Sequence, residues 1–89
     1  MKIKVKQAHI DNGVRGNYGY CPIALALKDA GFISPAVRMN ECSWRVVNPK
    51  TPVFSVRRKL VALPVVAREF IAKFDSGVEV KPIVFEITA

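Results

Sequence analysis

Gly13-Val14-Arg15-Gly16-Asn17-Tyr18-Gly19-Tyr20-Cys21-Pro22-Ile23-Ala24-Leu25-Ala26-Leu27-Lys28-Asp29-Ala30-Gly31 joins a glycine-spaced loop bearing Arg15, Tyr18 and Tyr20 to a short, almost wholly apolar segment. Pro22 suits the first helical position, where its missing N–H would have had no partner, and Gly31 suits the left-handed conformation that closes a helix. The intervening helix carries charge only at Lys28 and Asp29, in its last turn. Nearly its whole circumference is therefore apolar and has to be covered by a sheet, a second helix or a partner. The flanking residues show what supplies that cover.

On the N-terminal side, residues 2–6 alternate Ile3 and Val5 with lysines, the pattern of a half-buried strand. Residues 7–12 read as one helical turn closed by Gly13. On the C-terminal side, residues 36–47 are rich in strand formers. Val37 and Met39 fall on one face and Cys42, Trp44 and Val46 on the other, a change of phase that predicts a bulge near Asn40. The cluster Asn48-Pro49-Lys50-Thr51-Pro52 separates this run from a second, 53–60, and predicts a hairpin with a five-residue loop. In the second run Phe54, Val56 and Leu60 share a face with Arg58, while Ser55, Arg57 and Lys59 look outward. Pro64 then starts an amphipathic helix with Ala67, Phe70, Ile71 and Phe74 as its buried stripe, and Gly77 ends it. Residues 80–87 supply a last strand, with Ile83, Phe85 and Ile87 alternating against Val84, Glu86 and Thr88.

This order predicts a single α+β domain spanning residues 1–89: a four-stranded antiparallel sheet with two helices on one face, in the ferredoxin-like βαββαβ arrangement. A meander of the same elements in another order is the alternative. At 89 residues there is one core to build. A hydrophobic fraction of 51% with 24% charged residues argues for a globular chain that folds alone or as a small symmetric oligomer such as a homodimer. No run approaches the roughly 20 apolar residues that cross a bilayer, and the first residues alternate rather than forming a signal or anchor, so no membrane partner is expected. Two cysteines are fewer than small oxidised scaffolds carry, which points to free thiols in a reducing cytoplasm.

Fourteen Lys and Arg against seven Asp and Glu give a net charge of +7. Such a field draws polyanions: DNA, RNA, a ribonucleoprotein, a nucleotide or an acidic protein face. The plainer account is that the excess only keeps the chain soluble.

Catalytic constellations are missing. A cysteine-type phosphatase needs an arginine six residues after its nucleophile, where Cys21 meets Leu27 and Cys42 meets Asn48. Cys21 at a helix start, with His9 as the sole imidazole, forms at most an incomplete pair, and the competing account has Cys21 capping the helix and His9 packing in the first turn. One His and two Cys with no C-x-x-C pair fall short of a structural zinc site, and the seven acids are scattered. The chain is read as no enzyme, with no metal and no cofactor.

Gly13, Gly16 and Gly19 form a G-x-x-G-x-x-G spacing that leads into a helix, unlike either the Walker or the dinucleotide fingerprint. Arg15 offers a guanidinium there, and Tyr18 and Tyr20 offer flat faces for a base or a protein groove. Otherwise the glycines only turn the chain and the tyrosines cover the helix. A second surface is predicted on the hairpin, where Arg38, Arg45, Arg57, Arg58 and Lys59 with Trp44 form a basic strip holding an aromatic ring. The strip lacks the exposed rings of an RNA recognition motif. Candidate binding residues are thus Arg15, Tyr18, Tyr20, Trp44, Arg45, Arg57, Arg58 and Lys59.

Ala8-His9-Ile10, the glycine loop, Cys21-Pro22-Ile23-Ala24-Leu25-Ala26-Leu27, Leu63-Pro64, Phe70-Ile71-Ala72-Lys73-Phe74-Asp75-Ser76-Gly77 and Phe85-Glu86-Ile87 together resemble a group of small phage- and prophage-encoded proteins with no assigned activity. The resemblance covers most of the chain except the hairpin, and its motifs mark helix ends rather than chemistry. It implies a phage accessory protein that acts in the host cytoplasm by binding and inhibiting a host target, foremost an anti-phage defence component. The partner expected is a protein or ribonucleoprotein with an acidic surface. A nucleic-acid binder and a sponge for an anionic nucleotide signal are the alternatives.

Overall fold

The computed structural model describes residues 1–46, 50 and 57–88. The elements are β1 (Lys2–Val5), α1 (Gln7–Asn12), α2 (Pro22–Asp29), β2 (Ile33–Val37), β3 (Glu41–Val46), β4 (Arg57–Ala62), α3 (Val65–Asp75) and β5 (Ile83–Glu86). The hairpin loop, apart from Lys50, and the predicted strand positions Val53, Phe54, Ser55 and Val56 lie outside the described residues.

The strands form two sheets, one of β1 with β5 and one in the order β2-β3-β4, with all pairs antiparallel. The single four-stranded ferredoxin-like sheet expected from the sequence is therefore not formed, although the fold remains a small α+β one. The correction traces to residues 38–40. The run 36–47 is not one bulged strand: it reverses there, with Arg38 N–H donating to Glu41 O at 2.8 Å, and so yields a further strand. The irregularity lies earlier, between Ile33 and Ala36, where Ser34 takes a φ of 47° and buried Pro35 has no N–H for a ladder. At the end of β2, Val37 N–H donates to Tyr18 O at 2.8 Å. The loop, not β1, meets β2 there.

Helix α2 packs on both β1 and β2 and so joins the two sheets. Ile23, Ala24 and Leu27 have 0% exposure, which meets the need for cover that their apolar surroundings in the sequence impose. Cys21 caps its start, the Sγ accepting the Ala24 N–H at 3.4 Å. At its end Gly31 (φ 98°) places Gly31 N–H on Lys28 O and Phe32 N–H on Leu27 O. The same six-to-one and five-to-two bonds close α3, where Gly77 has φ 81° and Val78 N–H reaches Lys73 O. The predicted stripe of α3 faces inward, with Ala67, Phe70 and Ile71 buried and Phe74 half-buried.

Gly13 ends α1 as expected but for another reason. Its backbone is ordinary, with φ −70°, so no left-handed turn is needed. A Cβ there would lie 2.6 Å from Pro22 Cδ and Cγ and 2.9 Å from His9 O, so the glycine lets two helices approach. Buried His9 completes the junction: its Nδ1 accepts the Lys6 N–H at 2.9 Å, and its Nε2 meets Asp29 Oδ2 at the far end of α2 at 2.5 Å.

Candidate functional site

The two surfaces predicted separately, the glycine loop and the basic hairpin, meet in one open groove of about 940 Å³. One wall is the loop, with Tyr18, Gly19 and Tyr20, backed by Lys28 of α2. The other is the outer face of the three-stranded sheet, with Ser34, Ala36, Ser43, Arg58 and Leu60, closed at one end by Arg38 and Glu41. Residue alternation explains why these side chains share a face: Ser43 stands opposite Leu60 and Arg45 opposite Arg58, whereas Cys42, Trp44 and Val61 point to the core.

The loop is held firmly from behind. Arg15 Nε donates to Phe74 O at 3.2 Å and Gly16 N–H to Asp75 Oδ1 at 3.0 Å, fastening the loop to the C-terminal end of α3, where a cation also complements the helix dipole. Val14 N–H on Tyr20 O, at 2.8 Å, draws the loop's ends together. Tyr18 and Tyr20 remain 65% and 56% exposed. Lys28 Nζ sits 3.9 Å from the Tyr20 ring centroid, a cation–π contact that ties the two groups together.

Arg58 is fixed as well. Its Nη2 donates to Ser34 O at 2.6 Å and to Ser43 O and Oγ at 3.2 Å, and its Nε donates to Ser43 Oγ at 3.2 Å. These acceptors are neutral, so they set the position of the guanidinium without cancelling its charge. Arg45 directly opposite adds a second like charge, an arrangement that costs stability unless an anion lies between or beside them. Leaving Lys50 aside, no lysine or arginine among the described residues is ion-paired with a carboxylate; His9 with Asp29 is the one such pair they show. The groove lining holds three cations, Lys28, Arg38 and Arg58, to one carboxylate, Glu41.

The candidate binding residues therefore divide. Tyr18, Tyr20 and Arg58 line the groove, and half-buried Arg45 shares its sheet face. Arg57 and Lys59 are exposed on the opposite face, registered with Val46 and Trp44. Arg15 is spent on α3. Trp44 is 7% exposed with its ring centroid 4.5 Å from that of Phe32, so its ring is core and offers no stacking face. Leu60, expected inside, is 62% exposed in the groove. Lys28, Ser34, Glu41 and Ser43 were not expected. One signal was available for Ser43, which lies in the stretch between Glu41 and Glu69 that holds six cations and no acid; Lys28, Ser34 and Glu41 lie outside it.

Both thiols are buried and free. Burial pushes Cys21 up from its ordinary value, partly offset by the Ala24 N–H, and pushes Cys42 up to about 11, with the nearby Glu41 charge adding to the effect. These are protonated thiols rather than nucleophiles at neutral pH. Cys21 and His9 also serve different ends of α2, one capping its start and the other bonded to Asp29 in its last turn. Compared with known proteins, the chain matches no family model, no curated protein and no solved structure.

Proposed function

We propose that this chain is a non-enzymatic binding protein whose working surface is the groove between loop 14–20 and the three-stranded sheet, and whose target presents an anionic surface. In the phage setting that the sequence resemblance implies, binding would inhibit a host component, foremost one of anti-phage defence. The observation that carries this reading is the convergence of two exposed tyrosines with cations that no carboxylate neutralises. Exposed tyrosines and a fixed guanidinium lining one groove are the residue types that anchor interfaces. Arg58 and the loop are both held in place by internal hydrogen bonds, so little ordering entropy is lost on binding.

The test is affinity capture from host-cell lysate, with and without nuclease, using the wild type and a Tyr18→Ala/Arg38→Ala variant. Both side chains are exposed, so the variant should melt within about 4 °C of the wild type. The wild type is expected to retain a partner that the variant loses. The same partners held equally by both would remove the groove from the function.

A further inference from the structure

We infer that the groove takes an unpaired strand of nucleic acid, free or displayed by a ribonucleoprotein, with bases against Tyr18 and Tyr20 and phosphates along Lys28, Arg38 and Arg58. This rests on the groove being the working surface, and it names the chemistry of what lies there.

Three features of the groove favour such a strand over an acidic protein face. First, Tyr18 and Tyr20 are alternate residues with only Gly19 between them, and both rings are more than half exposed. Carboxylates have no use for flat aromatic faces, whereas every base has a π-face that stacks on one. Second, the cations come from three separate places around the rings: Lys28 from α2, Arg38 from the 38–40 turn and Arg58 from β4. Third, donors accompany them. Ser43 Oγ accepts from Arg58 and keeps its own O–H to give, and the Arg38 guanidinium makes no hydrogen bond or ion pair with any described residue, its backbone N–H alone being used, on Glu41 O.

A strand fits better than a single nucleotide because positive charge continues past the groove. Arg45 stands opposite Arg58 on the same sheet face, outside the groove lining. An unpaired strand fits better than a duplex because the faces the tyrosines need are already covered by neighbouring base pairs in a double helix. Glu41 is the one carboxylate in the lining and opposes phosphate at that end of the groove.

The experiment is fluorescence anisotropy of the intact protein with labelled oligothymidylate and oligouridylate of about 12 nucleotides, a length within reach of small single-strand sites. A duplex of the same length serves as comparator, from about 50 to about 200 mM salt. Three phosphate contacts predict a log–log salt slope of about −2 for the single strands. Tyr18→Ala should weaken binding about tenfold without changing that slope, Tyr18→Phe should restore it, and Arg38→Ala should flatten the slope by about 0.7. Absence of single-strand binding at low salt, equal binding of the duplex, or indifference to Tyr18→Ala would each overturn the assignment. In those cases a nuclease-resistant partner that is captured by the wild type and lost by the Tyr18→Ala/Arg38→Ala variant leaves the binding-protein reading standing, whereas its absence removes both.

Discussion

Gly13→Ala is expected to destabilise the fold by about 2–3 kcal/mol, in the range of overpacked cores. The expectation does not come from backbone conformation, since φ at Gly13 is −70° and any residue adopts it. It comes from space. The new methyl would stand 2.6 Å from two ring carbons of Pro22, which is buried and cannot rotate away, and 2.9 Å from the His9 carbonyl. Relief requires α1 and α2 to part, and that strains the His9–Asp29 bond, which spans the same junction. For a domain of this size the loss is about 10–20 °C in melting temperature. Gly19→Ala is the control, because its Cβ would meet only Asn17 Oδ1 at 3.6 Å. If both variants melt alike, the α1–α2 junction is not packed as described.

The second large effect is alkaline loss of stability. Cys42 has its thiol raised to about 11 in the folded chain, against an ordinary value of 9.0, and Cys21 is raised as well. Between the ordinary and the raised values the unfolded chain has released a proton that the native state still holds. The unfolded state then binds fewer protons, so stability falls as pH rises through that window and is fully present below it. The slope is up to about 1.4 kcal/mol per pH unit for each thiol. Denaturant midpoints measured from pH 8 to pH 11 should fall, and Cys42→Val, which keeps a buried group of similar size without a proton to lose, should reduce the fall. A midpoint independent of pH over this range, or an equal fall in Cys42→Val, would show that burial does not hold the Cys42 proton.

The helices were legible in the sequence because their ends are written in single residues. Pro22 and Gly31 bracket α2, and Gly77 closes α3. The sheet was not legible to the same degree. Strand formers stand on both sides of the reversal at 38–40, Ile33 and Val37 before it and Trp44 and Val46 after it, and the reversal itself is made by Arg38, Met39 and Asn40, of which only Asn40 is a turn former by type. Reading that reversal as a bulge removed one strand and merged two sheets into one. The alternation along β4 is the expected one, Leu60 with Arg58 and Arg57 with Lys59; what differs is which of the two faces meets the core. Hence Leu60 was assigned to the core and Trp44 to the surface, the reverse of what the fold gives. Of the candidate site, the tyrosines followed from residue type in an exposed loop, and Arg58 from its place in a basic run. Lys28 did not, since its role depends on α2 lying behind the loop, and neither did Arg15, which looks like a ligand-binding cation and is instead the clasp on α3.

The claim on which the functional account depends is that anions gather in the groove rather than wherever lysine is abundant. A ¹⁵N-labelled sample titrated with inorganic polyphosphate, followed by amide chemical shifts, tests it without presupposing the class of partner. Shifts are expected to concentrate at Tyr18, Gly19, Tyr20, Lys28, Arg38, Ser43 and Arg58. Shifts centred on Lys2, Lys4 and Lys6, or spread evenly over all the cations, would contradict it.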